Sequence, residues 1–96
     1  MTKFIVDFTY NFKKGYKRVK KQGKDISKLD NVIKQLTNGI MLEPKYRDHK
    51  LYDNKKFKDC RECHIEPDWL LIYKTDNNQL ILLLVETGSH SELFKM

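Results

Sequence analysis

An α+β fold is predicted, a small antiparallel sheet of about four strands packed by an N-terminal two-helix hairpin and ending in a short helical turn. Three observations predict it. Apolar residues recur at helical spacing between residues 12 and 36, short apolar runs follow residue 57, and good turn sequences separate those runs. The expected order is β-α-α-β-β-β. Ninety-six residues, 40% of them hydrophobic, suffice for one core, so residues 1–96 are expected to form a single domain.

The first strand is expected where Phe4, Val6 and Phe8 alternate with Ile5 and Asp7. From about Asn11 to Gln22, Phe12, Tyr16 and Val19 mark one face of a helix whose other faces carry six Lys and Arg. Gly23 breaks it and Asp25 can cap a second helix, in which Ile26, Leu29, Ile33 and Leu36 follow until Asn38-Gly39 supplies a stop. Residues 40–56 have little periodicity and read as an irregular basic loop. Phe57–Ile65, Trp69–Lys74 and Leu80–Glu86 are the remaining strand candidates, split by Glu66-Pro67-Asp68 and Thr75-Asp76-Asn77-Asn78. Gly88 ends the last of them, leaving Ser89–Phe94 for a helical turn.

Charge and hydropathy exclude several classes. The longest unbroken apolar run, Leu80–Val85, is six residues, far short of the roughly 20 that cross a bilayer. Only Phe4, Ile5 and Val6 are consecutively apolar near the start, too few for a secretory signal, so a cytoplasmic location, no membrane association and reduced thiols are expected. The net charge of +6 divides as +6 over residues 1–30, +4 over 31–58 and −4 over 59–96. A basic front half favours polyanions such as RNA or an acidic protein.

Cys60-Arg61-Glu62-Cys63-His64 has the form of a haem-attachment string. On a strand over 57–65, however, positions 60 and 63 point to opposite faces, so one metal or one disulfide could not use both thiols. Cys63 is then a core residue beside Phe57 and Ile65, and Glu62 and His64 share the other face. The three histidines, His49, His64 and His90, sit in a loop, at a strand end and after the last strand, each beside charged or small polar residues. Imidazoles with carboxylates suit proton transfer near neutral pH. No G-x-S-x-G elbow or plausible Cys-His-Asn ordering supports acyl chemistry.

Asp48-His49-Lys50-Leu51, then the fourteen residues from Arg61 to Lys74, then Thr87-Gly88-Ser89-His90-Ser91-Glu92-Leu93-Phe94 together resemble the YafQ branch of the RelE/ParE toxin superfamily. That resemblance implies a bacterial type II toxin, an mRNA interferase that cuts messenger RNA, in this branch on the ribosome, with no metal or cofactor. It also implies silencing by a cognate acidic antitoxin in a joint assembly, and the basic front half is expected to accept an antitoxin segment that folds as it binds. The catalytic set would be His49, His64, Asp68, His90 and Phe94. Arg47, Lys50 and Lys58 are expected to contact phosphate, with Glu62 and Trp69 beside the substrate. Many relatives carry Arg before the Thr-Gly-x-His string, where this chain has Glu86, so either another cation serves or the position is not catalytic here. The alternative readings are a non-catalytic superfamily member that binds an antitoxin or nucleic acid, and a haem or redox protein.

Overall fold

The structure, a computed structural model, describes residues 3–94. Strand β1 (Ile5–Phe8) leads into helices α1 (Tyr10–Lys21) and α2 (Ile26–Thr37). A 3₁₀ turn (Pro44–Tyr46) and a two-residue strand β2 (His49–Lys50) precede the meander β3 (Arg61–Glu66), β4 (Trp69–Asp76) and β5 (Ile81–Gly88), and α3 (His90–Phe94) follows. The sheet order is β1-β5-β4-β3-β2.

The signals read for the second helix act as expected, and Thr9 adds a cap for the first that the sequence reading did not name. Thr9 Oγ1 accepts the Phe12 N–H at 3.0 Å and caps α1, while Asp25 Oδ1 accepts the Ser27 N–H at 3.1 Å and caps α2. Gly39 adopts φ 72° just beyond Asn38, the left-handed stop that a glycine permits.

Three features differ from the expected fold. The sheet has five strands, because His49 and Lys50 pair with Glu62 and Arg61, and a two-residue strand leaves no periodicity to detect. It is mixed, because β1 runs parallel to β5. Everything from α1 to β4 separates the edge strand from its neighbour, a connection long enough for parallel pairing, which a tight turn forbids. Lastly, β3 starts at Arg61, with Phe57–Cys60 forming a turn in which the Cys60 N–H reaches the Phe57 carbonyl at 3.2 Å.

Alternation along the strands divides the core in two. On one face Cys63, Trp69, Leu71, Tyr73, Leu82 and Leu84 pack against Phe12, Val19, Leu29, Val32 and Leu36 of the hairpin. On the other, Leu70 and Ile72 pack with Phe57, Cys60 and Leu93. Phe57 therefore shares a cluster with Cys60, on the face opposite Cys63, which corrects the expectation that Phe57 and Cys63 lie side by side. The late start of β3 removes residue 57 from the strand's alternation. Helix α1 lies very close to β5, since a Cβ on Gly15 would meet the Thr87 carbonyl oxygen at 2.5 Å.

Candidate active site

The register assembles the site on the face away from the hairpin. His49 pairs with Glu62 and Glu62 with Ile72, while His64 pairs with Leu70 and Leu70 with Gly88. His49, Glu62 and His64 thus project from adjacent rows of one sheet face, and α3 leaves β5 at the end of the His64 row. The His64 ring centroid lies 6.4 Å from that of His49 and 5.7 Å from that of His90, and Phe94 stands 6.4 Å from His90. Three histidines distant in sequence form one contiguous cluster.

Each ring is oriented from behind. His49 Nδ1 donates to the Arg47 carbonyl at 2.7 Å and leaves Nε2 toward Glu62, 4.0 Å away. His64 has acceptors at both nitrogens, the Pro67 carbonyl at 3.3 Å from Nδ1 and Glu62 Oε1 at 3.1 Å from Nε2. The Glu62 carboxyl is buried and stands between the two rings. Asp68 Oδ1 accepts both the His90 backbone N–H at 2.9 Å and His90 Nδ1–H at 2.7 Å, so His90 Nε2 faces outward. The His90 backbone N–H is the main cause holding the Asp68 carboxyl below its usual range, with the imidazole N–H next.

Helix α3 is fixed by a reciprocal box. Ser89 Oγ accepts the Glu92 N–H at 3.2 Å and Glu92 Oε1 accepts the Ser89 N–H at 2.8 Å. The Ser89 N–H is the leading reason that the Glu92 carboxyl titrates below its ordinary value. Arg18 reaches across from α1, its Nε 3.1 Å from Glu92 Oε2 and its Nη2 donating to the Thr87 carbonyl at 3.0 Å. Beneath, Thr87 Oγ1 accepts the Trp69 indole N–H at 3.0 Å and donates to the Leu70 carbonyl at 2.7 Å, joining the β4 end beside Asp68 to the β5 end beside His90.

Five expected catalytic residues, His49, His64, Asp68, His90 and Phe94, come together. Arg47 and Glu62 adjoin them. Trp69 does not, because it is 0% exposed on the hairpin face and has no surface to offer a substrate, which corrects its assignment to substrate contact. The alternation that puts His64 and Leu70 on the site face puts residue 69 on the other. Lys50 and Lys58 line a separate concavity with Tyr52 and Asp59, apart from the one that holds His64. Lys56, overlooked in the sequence, lies 3.6 Å from Glu86 Oε2 and donates to the Leu93 carbonyl at 3.2 Å, so it is a cation that accompanies Glu86. Only the unexplained acid at 86 signalled it.

Both cysteines are free and buried. Burial pushes the Cys60 and Cys63 thiols up, so neither is prepared to react as thiolate. Glu62, His64 and His90 each present a ligand atom, all within 4.8 Å of one another, a spacing that a divalent cation can bridge.

The family model that matches residues 5–95 is described as the bacterial toxin of a type II toxin-antitoxin system, YafQ. The mRNA interferase toxin YafQ of Escherichia coli (strain B) is 36% identical over 90 residues, covering 93% of this chain and 94% of that protein. Among solved structures, a metal-bound toxin from Helicobacter pylori superposes with a TM-score of 0.86 at 41% identity, over 95% of this chain and 99% of that one. The Escherichia coli DinJ-YafQ toxin-antitoxin complex gives 0.85 at 33% identity, over 96% and 98%.

Proposed function

The chain belongs to the YafQ family of type II toxin-antitoxin toxins and is an mRNA interferase, and from that premise we infer that it cuts RNA by metal-independent acid/base catalysis. In this reaction the 2′-hydroxyl attacks the adjacent phosphorus, the bond to the 5′-oxygen breaks, and a 2′,3′-cyclic phosphate and a 5′-hydroxyl result. A base must take the 2′-proton and an acid must supply one to the leaving oxygen. His90 is the acid, since Asp68 fixes its Nδ1–H and leaves Nε2 for the substrate. Asp68 therefore acts through His90 and is a positioning residue, its Oδ1 already accepting two bonds. The base is the Glu62–His64 pair, held in a 3.1 Å contact, whose deprotonated member takes the 2′-proton. His49, exposed and adjacent, faces the phosphate oxygens, and Phe94 supplies a wall beside His90. A divalent cation on Glu62, His64 and His90 would occupy the lone pairs that these transfers use and would inhibit.

The observation that carries this reading is the shared cluster of His64 and His90 with an anchored Asp68. The substrate is messenger RNA, read on the ribosome. The cations of α1 that make no ion pair among the described residues, Lys13, Lys14, Lys17, Lys20 and Lys21, give a surface for ribosomal RNA. An acidic antitoxin would meet the same helix and the exposed Ile5, Phe8 and Tyr10 beside it. The test is induced expression of the wild type and of His64→Ala and His90→Ala with mapping of transcript ends. Well-placed acid or base groups contribute on the order of 10²- to 10⁴-fold, so cuts should appear in coding frames with the wild type and vanish with His90→Ala. Equal cutting by His90→Ala would remove the assignment.

A further inference from the structure

Beside His64 a groove of about 390 Å³ opens between the start of α2, the 3₁₀ turn and the end of β3. Such a volume lies in the range of small-ligand sites. Its walls carry the aromatic ring of Tyr46, the side chains of Asn31 and Glu66, and the cations Lys28, Lys45 and Arg47. The chemistry matches one nucleotide: a ring for a base to stack on, an amide and a carboxylate for its edge, and cations for the flanking phosphates.

Two observations join this groove to the catalytic cluster. His64 lies in its lining. Arg47 adopts φ 48° and ψ 42°, a left-handed conformation uncommon outside glycine, and in doing so turns its carbonyl onto His49 Nδ1 while its side chain lines the groove. One strained residue thus orients a catalytic ring and lines the neighbouring groove. Lys28 is neutralised by Glu66 at 2.8 Å, which leaves Lys45 and Arg47 as the cations for phosphate. The Lys45 ammonium lies 5.2 Å from the Tyr46 ring centroid, where an incoming base would displace it toward the RNA backbone.

We propose that this groove is the specificity subsite, which holds a single nucleotide of the RNA next to the scissile phosphate, with Tyr46 as the stacking platform and Asn31 reading the base edge. The proposal rests on the RNA-cutting reading above. Tyr46 is half-buried and packs on the core, so its ring is held rigid at low entropic cost on binding. Asn31 is exposed on α2, and among the described residues its side chain makes no hydrogen bond.

The test maps cut sites on transcripts with randomised codons for the wild type, Tyr46→Phe, Tyr46→Leu and Asn31→Ala, with His90→Ala as the chemical control and melting curves for all. Tyr46→Phe should keep the wild-type pattern. Tyr46→Leu should flatten the preference at one position flanking the cut by on the order of tenfold, the measure of a lost stacking contact. Asn31→Ala should alter the base chosen at that same position while cutting continues. Uniform slowing over all contexts, an unchanged pattern in both variants, or weakened antitoxin capture with unchanged cutting would overturn the proposal. Asn31→Ala decides alone if Tyr46→Leu melts early. Cutting by His90→Ala at the wild-type rate would instead overturn the catalytic reading.

Discussion

Thr87→Val isolates the hydrogen bonds that hold the two halves of the acid site together. The substitution keeps the shape of a side chain that is 0% exposed and removes only the hydroxyl. The Leu70 carbonyl, with a second lone pair and a ladder neighbour, tolerates the loss. The Trp69 indole N–H does not, because the residue is fully buried and Thr87 Oγ1 is its partner. A buried donor left without a partner costs about 1–3 kcal/mol, and gained apolar burial at the valine methyl offsets part of it. The methyl returns about 0.8 kcal/mol, so a net loss of about 1 kcal/mol follows, which at ~4–8 °C per kcal/mol for a domain of this size lowers Tm by ~4–8 °C. The assay is denaturant unfolding of the wild type, Thr87→Val and Thr87→Ser, paired with RNA cleavage well below each Tm. Thr87→Ser keeps both hydrogen bonds and should lose less than Thr87→Val. If Thr87→Val unfolds at the wild-type denaturant concentration, the bond from Trp69 contributes nothing and the link from Asp68's strand to His90's strand is not made there.

Gly15→Ala sets helix propensity against space. Alanine gains about 1 kcal/mol in a helix interior, but the new Cβ would stand 2.5 Å from the Thr87 oxygen, so α1 or β5 must move by about 0.9 Å to reach the 3.4 Å of ordinary contact. Overpacking costs about 1–3 kcal/mol, so the variant should be less stable than the wild type by thermal melting, and a gain would refute the close approach. Because burial raises both thiols, native protein at neutral pH should resist iodoacetamide and Cys60→Ser should cut RNA normally, as read by mass spectrometry and cleavage. Glu92 has a folded value below its unfolded one, so its contribution to the anchoring of α3 is present above the ordinary carboxylate range and is lost as pH falls through the folded value. Glu92→Gln, which keeps the box but not the ion pair to Arg18, should therefore flatten the acid limb of the stability profile measured by denaturant unfolding. Unchanged steepness in Glu92→Gln would place the acid sensitivity elsewhere.

Helix starts and stops were legible because their causes are local. Asp25 caps two residues on, and Gly39 supplies its own φ. The sharing of one face by Glu62 and His64 was equally plain, since it needs only the period of two. What escaped depends on pairing or on contacts far along the chain. His49 enters the sheet as a two-residue strand that exists only against Arg61 and Glu62. Trp69 sits in a string dense with site residues, and its burial follows from parity once the site face is known, yet neighbourhood in sequence suggested the reverse. Arg18 reaches Glu92 across 74 positions, and Lys56 reaches Glu86 across 30, so neither partnership has any sequence signature. Half of the Glu92 arrangement could have been read, because Ser89-x-x-Glu92 has the spacing of a capping box.

The division of the core explains how so small a protein holds a polar cluster. The hairpin face contains the larger apolar set and most of the fully buried large side chains, and it makes no use of the catalytic groups. The opposite face has only Phe57, Cys60, Leu70, Ile72 and Leu93 in its cluster, and above them the rings of His49, His64 and His90 meet water in varying degree. Stability comes mainly from one side of the sheet, so the other side can carry a buried carboxyl at Glu62 and the strained backbone of Arg47 without loss of the fold. Substitutions should divide accordingly. Truncating Leu29 or Val32 should lower stability by ~2–5 kcal/mol for Leu and less for Val, and should reduce cutting only as far as the protein unfolds. Replacing His49 or His90 should do the reverse, leaving the melting curve near that of the wild type while cutting falls. A histidine variant that lost stability and activity in proportion would show that the two faces are not independent.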